Sequence, residues 1–460
     1  MSDDVLRVTA DYATAFLSTL DERRVSPQAS VAELREALGR PLADDGEDDA
    51  QVLAELIASG EPGVVGTQTG RYFGFVIGGA TPAGIAADWL ATAWDQNGFS
   101  VALSPVAAAL EEVAAGWAAE LLGLPEGVSS GFVTGAQAAN TTALAAARGH
   151  ALAGVGWDVA RDGLQGAPPV RVVVSADRHV TIDRSLRLLG LGTGSALVVP
   201  ADDQGRMRAD ALRDVLGDAQ APTIVCAQAG NVNSGAVDPL AEIAAACERA
   251  GAWLHVDGAF GLWAAASPRF AHLVEGVERA DSWATDAHKW LNVPYDSGLV
   301  FCRHPASHAE SMAVAASYLQ REDGRSPSDW VPESSRRARG FAVWATLRSL
   351  GRNGVAELVE RCCDHARRFA EVLGEEPGVE ILNEVVLNQV LVRFGDDDAL
   401  THEVVRRVQE DGTCWLGGTS WQGRTATRIS VSSYRTTTQD VERSAAAILA
   451  AAAAVTGSLR

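Results

Sequence analysis

Seven short apolar runs, rich in β-branched residues, recur between residues 131 and 302, and helical segments rich in alanine and leucine separate most of them. The runs lie at residues 131–134, 170–175, 196–200, 222–227, 252–256, 282–285 and 298–302. This alternation is typical of the α/β class, in which a largely parallel sheet is covered by helices on both faces. Ligands bind such sheets at the carboxyl ends of the strands, so we expect functional residues where these runs end.

The length of the chain, 460 residues, exceeds one typical domain and falls short of three. A helical pattern from Ser335 through Leu373, broken near Gly351 and Gly354, leads toward strand-like runs near 387–394 and 426–432. We therefore predict an N-terminal helical segment that mediates dimerisation, a large ligand-binding domain and a small C-terminal α+β domain. The predicted bounds of these three parts are 1–100, 101–345 and 346–460.

The net charge and the spacing of the cysteines limit the kinds of ligand and partner that this chain is expected to bind. The formal net charge of −21 argues against nucleic acid and against an anionic membrane surface, because repulsion at long range opposes both. The six cysteines form no CxxC pair and no cluster with zinc-ligand spacing, so we interpret them as reduced core thiols and predict no metal site. The acidic N-terminus and the lack of an 18-residue apolar run favour a cytoplasmic protein with a small-molecule partner.

Two polar residues end neighbouring runs. Lys289 follows a strand-like stretch in Trp283–Trp290, and Asp257 ends the apolar run that begins at Ala252. Most lysines are solvated surface groups, and an acid and a lysine at adjacent strand ends can form a plain salt bridge. Further residues at the same edge of the sheet favour a binding site over a surface lysine or a plain ion pair.

The start of the helix after residues 131–134 supplies one of those further features. The backbone amides near Gly135, Ala136 and Gln137 have no partner inside the helix, and such a helix terminus binds phosphate. His179 follows the run 170–175 and can stack on a flat ring. The sequence therefore predicts a site for a small, flat, phosphorylated ligand.

Several segments together resemble a known family, the group II pyridoxal-phosphate (PLP)-dependent amino-acid decarboxylases, which include aromatic-amino-acid, histidine and glutamate decarboxylases. The resemblance covers about residues 65–435, and its most specific part is HVDxA followed by HKW. The matching segments, in chain order, are RYFGFV (71–76), SP (104–105), the His179 segment, HVDGAFG (255–261), DAHKW (286–290) and SRRARGFAVW (335–344).

The resemblance implies a fold and a set of roles. The fold is the PLP-dependent transferase fold type I, which is aspartate-aminotransferase-like. Lys289 carries PLP as a Schiff base, Asp257 pairs with the protonated pyridine nitrogen, and His179 stacks over the ring. The phosphate lies against the amides near Gly135, Ala136 and Gln137, and His288 adds a hydrogen bond. These residues form the expected catalytic and cofactor-binding set.

Other polar residues keep two interpretations each. Asn231 matches a family position near the cofactor ring or its 3-hydroxyl, and it can equally be an asparagine that forms a turn. His255 alternates with Asp257 on one strand, but a hydrogen-bonded core histidine is the commoner outcome. Arg337 and Arg339 either hold a carboxylate or are exposed helix arginines.

The resemblance favours decarboxylation of an aromatic or bulky L-amino acid by a homodimer, and the aromatic stretch Phe73–Ile77 is expected to form part of the pocket wall. Many family members carry a loop tyrosine that reprotonates Cα, whereas residues 319–333 contain none. Tyr318, His179 or Lys289 is then the candidate acid. Members without that tyrosine can instead form an aldehyde with oxygen. Aldol cleavage, aminotransfer and a non-catalytic role in binding PLP are also compatible with these residues.

Overall fold

The computed structural model describes residues 3–217, 221–314 and 325–457. The chain divides into two compact units. The larger comprises Gly78–Arg367 and Asn383–Val390, and the smaller comprises the described residues of Met1–Ile77, Arg368–Leu382 and Leu391–Arg460. These bounds differ from those of the three segments predicted from the sequence, which remain a prediction about how the chain is organised.

The larger unit contains a sheet of seven strands, and each of the seven predicted runs forms one of them. The strands are β1 (Ser129–Val133), β2 (Arg171–Ser175), β3 (Leu197–Val199), β4 (Thr223–Gln228), β5 (Trp253–Asp257), β6 (Ser282–Asp286) and β7 (Gly298–Cys302). Their order across the sheet is β1-β7-β6-β5-β4-β2-β3. Within this sheet, β7 runs antiparallel to its neighbours and the other pairs are parallel, so the expected largely parallel α/β sheet is confirmed.

A second, antiparallel sheet contains β8 (Val379–Ile381), β9 (Gln389–Phe394), β10 (Gly417–Trp421) and β11 (Arg424–Ser430) in the order β10-β11-β9-β8. The runs predicted near 387–394 and 426–432 correspond to β9 and β11. The sequence pattern did not reveal β8, which has three residues, or β10, which consists of two glycines, two small polar residues and Trp421.

Helices fill the intervals between the strands. They are α1 (Asp3–Ser18), α2 (Val31–Leu38), α3 (Asp49–Gly60), α4 (Pro82–Ala93), α5 (Pro105–Leu121), α6 (Ala136–Ala153), α7 (Val159–Asp162), α8 (Val180–Leu188), α9 (Ala209–Leu216), α10 (Leu240–Ala250), α11 (Pro305–Met312), α12 (Gly340–Gly374), α13 (Asp398–Asp411) and α14 (Thr438–Gly457). Short 3₁₀ helices lie at Glu61–Gly63, Gly261–Ala266, Ala271–Val274, Val277–Arg279 and Pro327–Trp330.

The sequence signals for helix ends act as expected. Ser104 caps α5 by accepting a hydrogen bond from the Ala107 amide at 3.1 Å, and Pro105 occupies the first turn. Helix α12 is interrupted at Gly351, whose φ of 62° lies in the left-handed region that glycine adopts at little cost. The predicted break in this long helix is thus confirmed.

Helix α6 is the main element of the larger unit's core. Most of its alanines and its leucines are buried, and they pack with β-branched residues of β2 and β4 and with Trp253. Small side chains let the helix approach the sheet closely, which brings its N-terminus to the carboxyl ends of the strands. All six cysteines are free and buried, as predicted.

Some expectations fall partly outside the described residues. The segment 318–333 is expected from its sequence to be a mobile loop; residues 318–324, including Tyr318, lie outside the described ranges, and Pro327–Trp330 forms a 3₁₀ helix. Among the helices that the structure describes, none is long and apolar enough to span a bilayer. In the same ranges, no group of three or more His, Cys, Asp or Glu side chains is arranged to hold a metal ion.

Candidate active site

The carboxyl ends of β5 and β6 lie side by side in the larger unit. Asp257 ends β5 opposite Ala284 of β6, and Asp286 ends β6. Ala259 joins the two ends, because its amide donates to Asp257 Oδ1 at 3.2 Å and its carbonyl accepts from the Asp286 amide at 3.0 Å. Two buried carboxylates are therefore held at fixed positions at the edge where the sequence predicted a ligand.

Asp286 brings Lys289 to the start of α6. The Lys289 Nζ atom lies 2.9 Å from Asp286 Oδ2, and the Ala136 amide donates to Asp286 Oδ1 at 2.5 Å. Asp286 is only 2% exposed. The first amide of α6 is thus placed to give a hydrogen bond to an anionic oxygen beside the lysine amine, which is the arrangement expected of a phosphate cradle.

The backbone at the N-terminus of α6 lies so close to β7 that both facing residues, Gly135 and Gly298, are glycines. No side chain of its own caps the helix, since the N-cap residue is Gly135. A Cβ atom on Gly135 would lie 3.0 Å from His288 Cε1, and one on Gly298 of β7 would lie 2.5 Å from Gly135 Cα. These two glycines allow the backbone of the cradle to approach β6 and β7.

His288 presents one ring nitrogen to the same place. Its Nδ1 atom accepts a hydrogen bond from the Ser297 amide at 3.0 Å, so the neutral ring carries its proton on Nε2. Burial lowers the pKa of His288, partly offset by Asp286, whose Oδ1 atom is 3.4 Å from Nε2. The neutral imidazole can therefore donate toward an anion bound at the start of α6.

Among the residues that the structure describes, Asp257 contacts uncharged groups. Its Oδ2 atom accepts from Asn140 Nδ2 at 3.1 Å and from Thr181 Oγ1 at 3.4 Å, in addition to the Ala259 bond on Oδ1. Asp257 is 4% exposed. Because these three partners all donate, the carboxyl group acts as an acceptor, which is the role of its ionised form.

His179 lies at the start of α8 and is linked to Asp257. The half-buried imidazole is the N-cap of the helix, and its Nδ1 atom is 2.8 Å from Thr181 Oγ1, the hydroxyl that also reaches Asp257. The structure thus brings the predicted stacking residue and the predicted partner of the ring nitrogen into one hydrogen-bonded group.

Gln137 and Asn231 use their side chains elsewhere. The Gln137 side-chain amide donates to the Thr181 carbonyl and to Ser185 Oγ, so this residue can offer only its backbone amide to the cradle. Asn231 Oδ1 accepts from the amides of Asn233 and Ser234 in its own turn. These bonds match the turn-forming interpretation of Asn231, and its contact with a cofactor remains a prediction.

Three residues of the site were missed by sequence reasoning: Asn140, Thr181 and Asp286. Each had a signal in the sequence, since Asn140 follows the cradle by one helical turn, Thr181 follows His179 by two residues, and Asp286 precedes Lys289 by three. A side chain one helical turn from a functional residue shares its face, and this spacing identifies Asn140 as a neighbour of the cradle.

The remaining candidates make their contacts outside this group. Arg337 forms an exposed ion pair with Asp88, whereas the buried Arg339 pairs with Asp296 at 2.8 Å. In the smaller unit Phe73 is fully buried against Phe369, and Phe75 is 63% exposed. Within the predicted pocket wall, Phe75 therefore presents its ring at the surface of that unit.

The chemistry of these groups fits PLP. The start of α6 and His288 provide donors for a phosphate, Lys289 provides an amine for an aldehyde, and the acceptor Asp257 provides a partner for a protonated ring nitrogen. All of these groups belong to the larger unit.

Comparisons with known proteins agree with this fit. The pyridoxal-dependent decarboxylase conserved domain matches residues 32–394. The 4-hydroxyphenylacetaldehyde synthase of Rhodiola rosea is 28% identical over 90% of this chain and 87% of its own length. The histidine decarboxylase of Drosophila melanogaster is also 28% identical, over 94% of this chain but 52% of its own length, so the chain spans about half of that relative.

A solved structure confirms the fold. The structure of Oryza sativa TDC with PLP and tryptamine superposes with a TM-score of 0.91 over 99% of both chains, at 24% sequence identity. The predicted fold type I is therefore correct. Since the conserved domain covers most of the chain, this protein belongs to the pyridoxal-dependent decarboxylases, the group II enzymes that act on amino acids with PLP.

Proposed function

We propose that this enzyme removes the α-carboxylate of an aromatic or similarly bulky L-amino acid as CO₂ and releases the amine. The observation that carries the proposal is the cluster in which the Lys289 amine and the first amide of α6 meet at the buried Asp286. It joins the two attachments that PLP requires, one covalent and one for the phosphate.

Four residues are proposed to hold the cofactor. When bound, PLP supplies an electron sink for the electrons of a bond broken at Cα of the substrate. Lys289 binds the aldehyde covalently, and the backbone amides of Ala136 and Gln137, together with the His288 N–H group, bind the phosphate. Lys289 is also the group that the substrate amine displaces.

Asp257 and His179 are proposed to act on the ring. Asp257 keeps a proton on the ring nitrogen, because a buried carboxylate whose partners are neutral favours the charged form of a cation placed beside it. His179 covers one face of the ring, and its hydrogen bond to Thr181 fixes the orientation of the imidazole. Lys289, His179 or Tyr318 delivers the proton that replaces CO₂ at Cα.

The names of the relatives support the substrate class. A 4-hydroxyphenylacetaldehyde synthase, a histidine decarboxylase and a structure holding tryptamine all concern amino acids or products with an aromatic ring.

We also propose that the enzyme is a homodimer. The exposed apolar side chains of Trp89, Leu90 and Trp94 cluster in and just after α4, and such patches commonly mark protein interfaces. Light scattering of the purified protein should give twice the mass of 48.2 kDa, and Trp89→Glu should lower it. A monomeric wild type would refute this part of the proposal.

A second activity is supported by the absence of tyrosine from residues 319–333 and by the aldehyde synthase among the relatives. In that reaction the amine left after loss of CO₂ is oxidised. One molecule each of O₂ and water enters, and aldehyde, ammonia and hydrogen peroxide leave. Decarboxylation alone needs no oxidant and exchanges the carboxylate for a proton.

One experiment tests both. The purified enzyme is incubated with each of the twenty amino acids, under air and under argon, and CO₂, amine, aldehyde and peroxide are measured. Amine and CO₂ in equal amounts under argon support the proposal, whereas aldehyde and peroxide formed only in air support the second activity. Lys289→Ala should lose the visible absorbance band of covalently bound PLP; a retained band would refute the role of Lys289.

A further inference from the structure

Four hydrogen bonds connect a core tryptophan to Asp257. Trp253 Nε1 donates to Ser282 Oγ at 2.9 Å, Ser282 Oγ is 3.0 Å from His255 Nδ1, and His255 Nε2 is 2.9 Å from Asn140 Oδ1. Asn140 Nδ2 then donates to Asp257 Oδ2 at 3.1 Å. These groups belong to β5, β6 and α6, and all of them are buried.

With Asp257 ionised, one arrangement of protons satisfies all four of these bonds. An ionised Asp257 accepts hydrogen bonds and donates none, so Asn140 must turn its NH₂ group toward it and its oxygen toward His255. His255 Nε2 must then carry a proton. Complete burial lowers the pKa of His255 to about 3, so the ring is neutral and its bare Nδ1 accepts from the Ser282 hydroxyl.

Because of the direction of these hydrogen bonds, His255 fixes the orientation of the Asn140 side-chain amide. A side-chain amide can turn over and exchange its oxygen with its nitrogen at little steric cost. If Asn140 did so, its oxygen would face Asp257 Oδ2, and two acceptors would oppose each other inside the protein. The His255 Nε2–H group prevents this turn, because it needs the Asn140 oxygen as its acceptor.

We propose that Ser282, His255 and Asn140 are positioning residues that hold Asp257 ready to keep the ring nitrogen of PLP protonated. The inference rests on the proposed function, since it requires PLP at this site. It also gives His255 a use beyond packing, although the residue is fully buried and the sequence favoured a core histidine.

The chain offers a matched control in His308. This histidine is also fully buried, burial lowers its pKa to about 4, and its two nitrogens lie 2.9 Å from Ser129 Oγ and from the Trp330 carbonyl. Neither of these partners bonds to Asp257. Replacing either histidine by phenylalanine removes two buried hydrogen bonds at similar cost to folding.

The first measurement uses the protein without PLP. Two-dimensional NMR of the ¹⁵N-histidine-labelled enzyme reports which ring nitrogen carries the proton, with His255→Phe assigning the signal. We expect His255 to be neutral with its proton on Nε2. A proton on Nδ1 would overturn the inference whatever the cofactor does.

The second measurement uses PLP labelled with ¹⁵N in its ring. In His255→Phe we expect the dissociation constant for PLP to rise roughly tenfold and the ring-nitrogen signal to move toward its unprotonated position, while His308→Phe retains the wild-type signal. His255→Gln should restore it, because the glutamine side-chain amide offers both an N–H donor and a carbonyl acceptor. In the Asp257→Asn background, His255→Phe should have no further effect on the ring nitrogen.

The outcomes separate the two proposals. If PLP binds through Lys289 and His255→Phe leaves the ring-nitrogen signal as in His308→Phe, the inference is overturned and the proposed function stands. If the wild-type enzyme binds no PLP, the proposed function is refuted together with the role of this chain of bonds.

Discussion

The two carboxylates at the ends of β5 and β6 are buried to nearly the same extent, but their hydrogen-bonding and ion-pairing partners differ. Asp257 is held by three neutral donors, whereas Asp286 forms an ion pair with Lys289 and accepts the first amide of α6. An acid without a cationic neighbour can serve a cation that arrives later, while an acid already paired organises the groups around it. On this difference we base the proposal that Asp257 acts on the ligand and Asp286 on the protein.

The largest effect that tests this contrast should come from Asp257→Asn. The substitution removes the negative charge that we propose to pair with the ring nitrogen, so we expect kcat/KM to fall by about 10²–10³-fold. Steady-state kinetics on the best substrate provides the measurement. Asp281→Asn is the control, since Asp281 is bonded to the Leu254 amide and to His304 away from this group. Equal losses in both variants would break the comparison.

Asp286→Asn should have a smaller effect than Asp257→Asn, and it should strengthen the binding of the cofactor. Asparagine can still accept the Ala136 amide, but it no longer competes as an anion with the phosphate. We expect PLP to bind roughly three- to tenfold more tightly. Equilibrium dialysis measures the dissociation constant. Weaker binding would show that the charge of Asp286 is needed to place Lys289, and the contrast between the two acids would have to be redrawn.

Gly298→Ala tests the packing on the Asp286 side alone. The new Cβ atom would lie 2.5 Å from Gly135 Cα, so the backbone must shift, and we expect a loss of about 1–3 kcal/mol in the free energy of unfolding. Urea denaturation measures it. Gly418→Ala is the control, because a Cβ atom there meets nothing within 4 Å. An unchanged stability of Gly298→Ala would contradict the close approach of β7 to the cradle.

The last prediction concerns the effect of acid on stability. Burial lowers the pKa of His255 to about 3 and that of His308 to about 4. The unfolded chain therefore binds more protons than the folded one below about pH 6.5, and stability falls as the pH drops toward 4, by at most about 1.4 kcal/mol per pH unit for each histidine.

Urea midpoints at pH 7 and pH 5 measure this slope. His308→Phe should be less sensitive to acid than the wild type, although its absolute stability is lower. His255→Phe should behave in the same way, and it additionally loses support for Asp257. A slope as steep as that of the wild type in both variants would mean that other groups control the acid sensitivity.

Much of the larger unit followed from local patterns. The seven apolar runs gave seven strands, and Ser104 with Pro105 marked the start of α5, because burial and capping act on residues close together in the chain. Strands β8 and β10 were not foreseen, because β8 has only three residues and β10 begins with two glycines and two small polar residues.

The site was predictable where a motif carried it and not where folding creates new neighbours. Lys289, Asp257 and the start of α6 were found from strand ends and a helix start. The bonds from Asp257 to Asn140 and Thr181 join residues 117 and 76 positions apart, so no local spacing could reveal them. Asp286 was hidden for another reason: a carboxylate near a predicted phosphate site looks unfavourable until the lysine contact is seen.

The backbone bonds of Ala259 affect how substitutions can alter this site during evolution. Both links from this residue to the two acids are made by its backbone amide and carbonyl, and its side chain takes no part in them. The spacing between the acids is therefore insulated from substitutions at position 259. A different side chain at position 259 leaves both of these backbone bonds available.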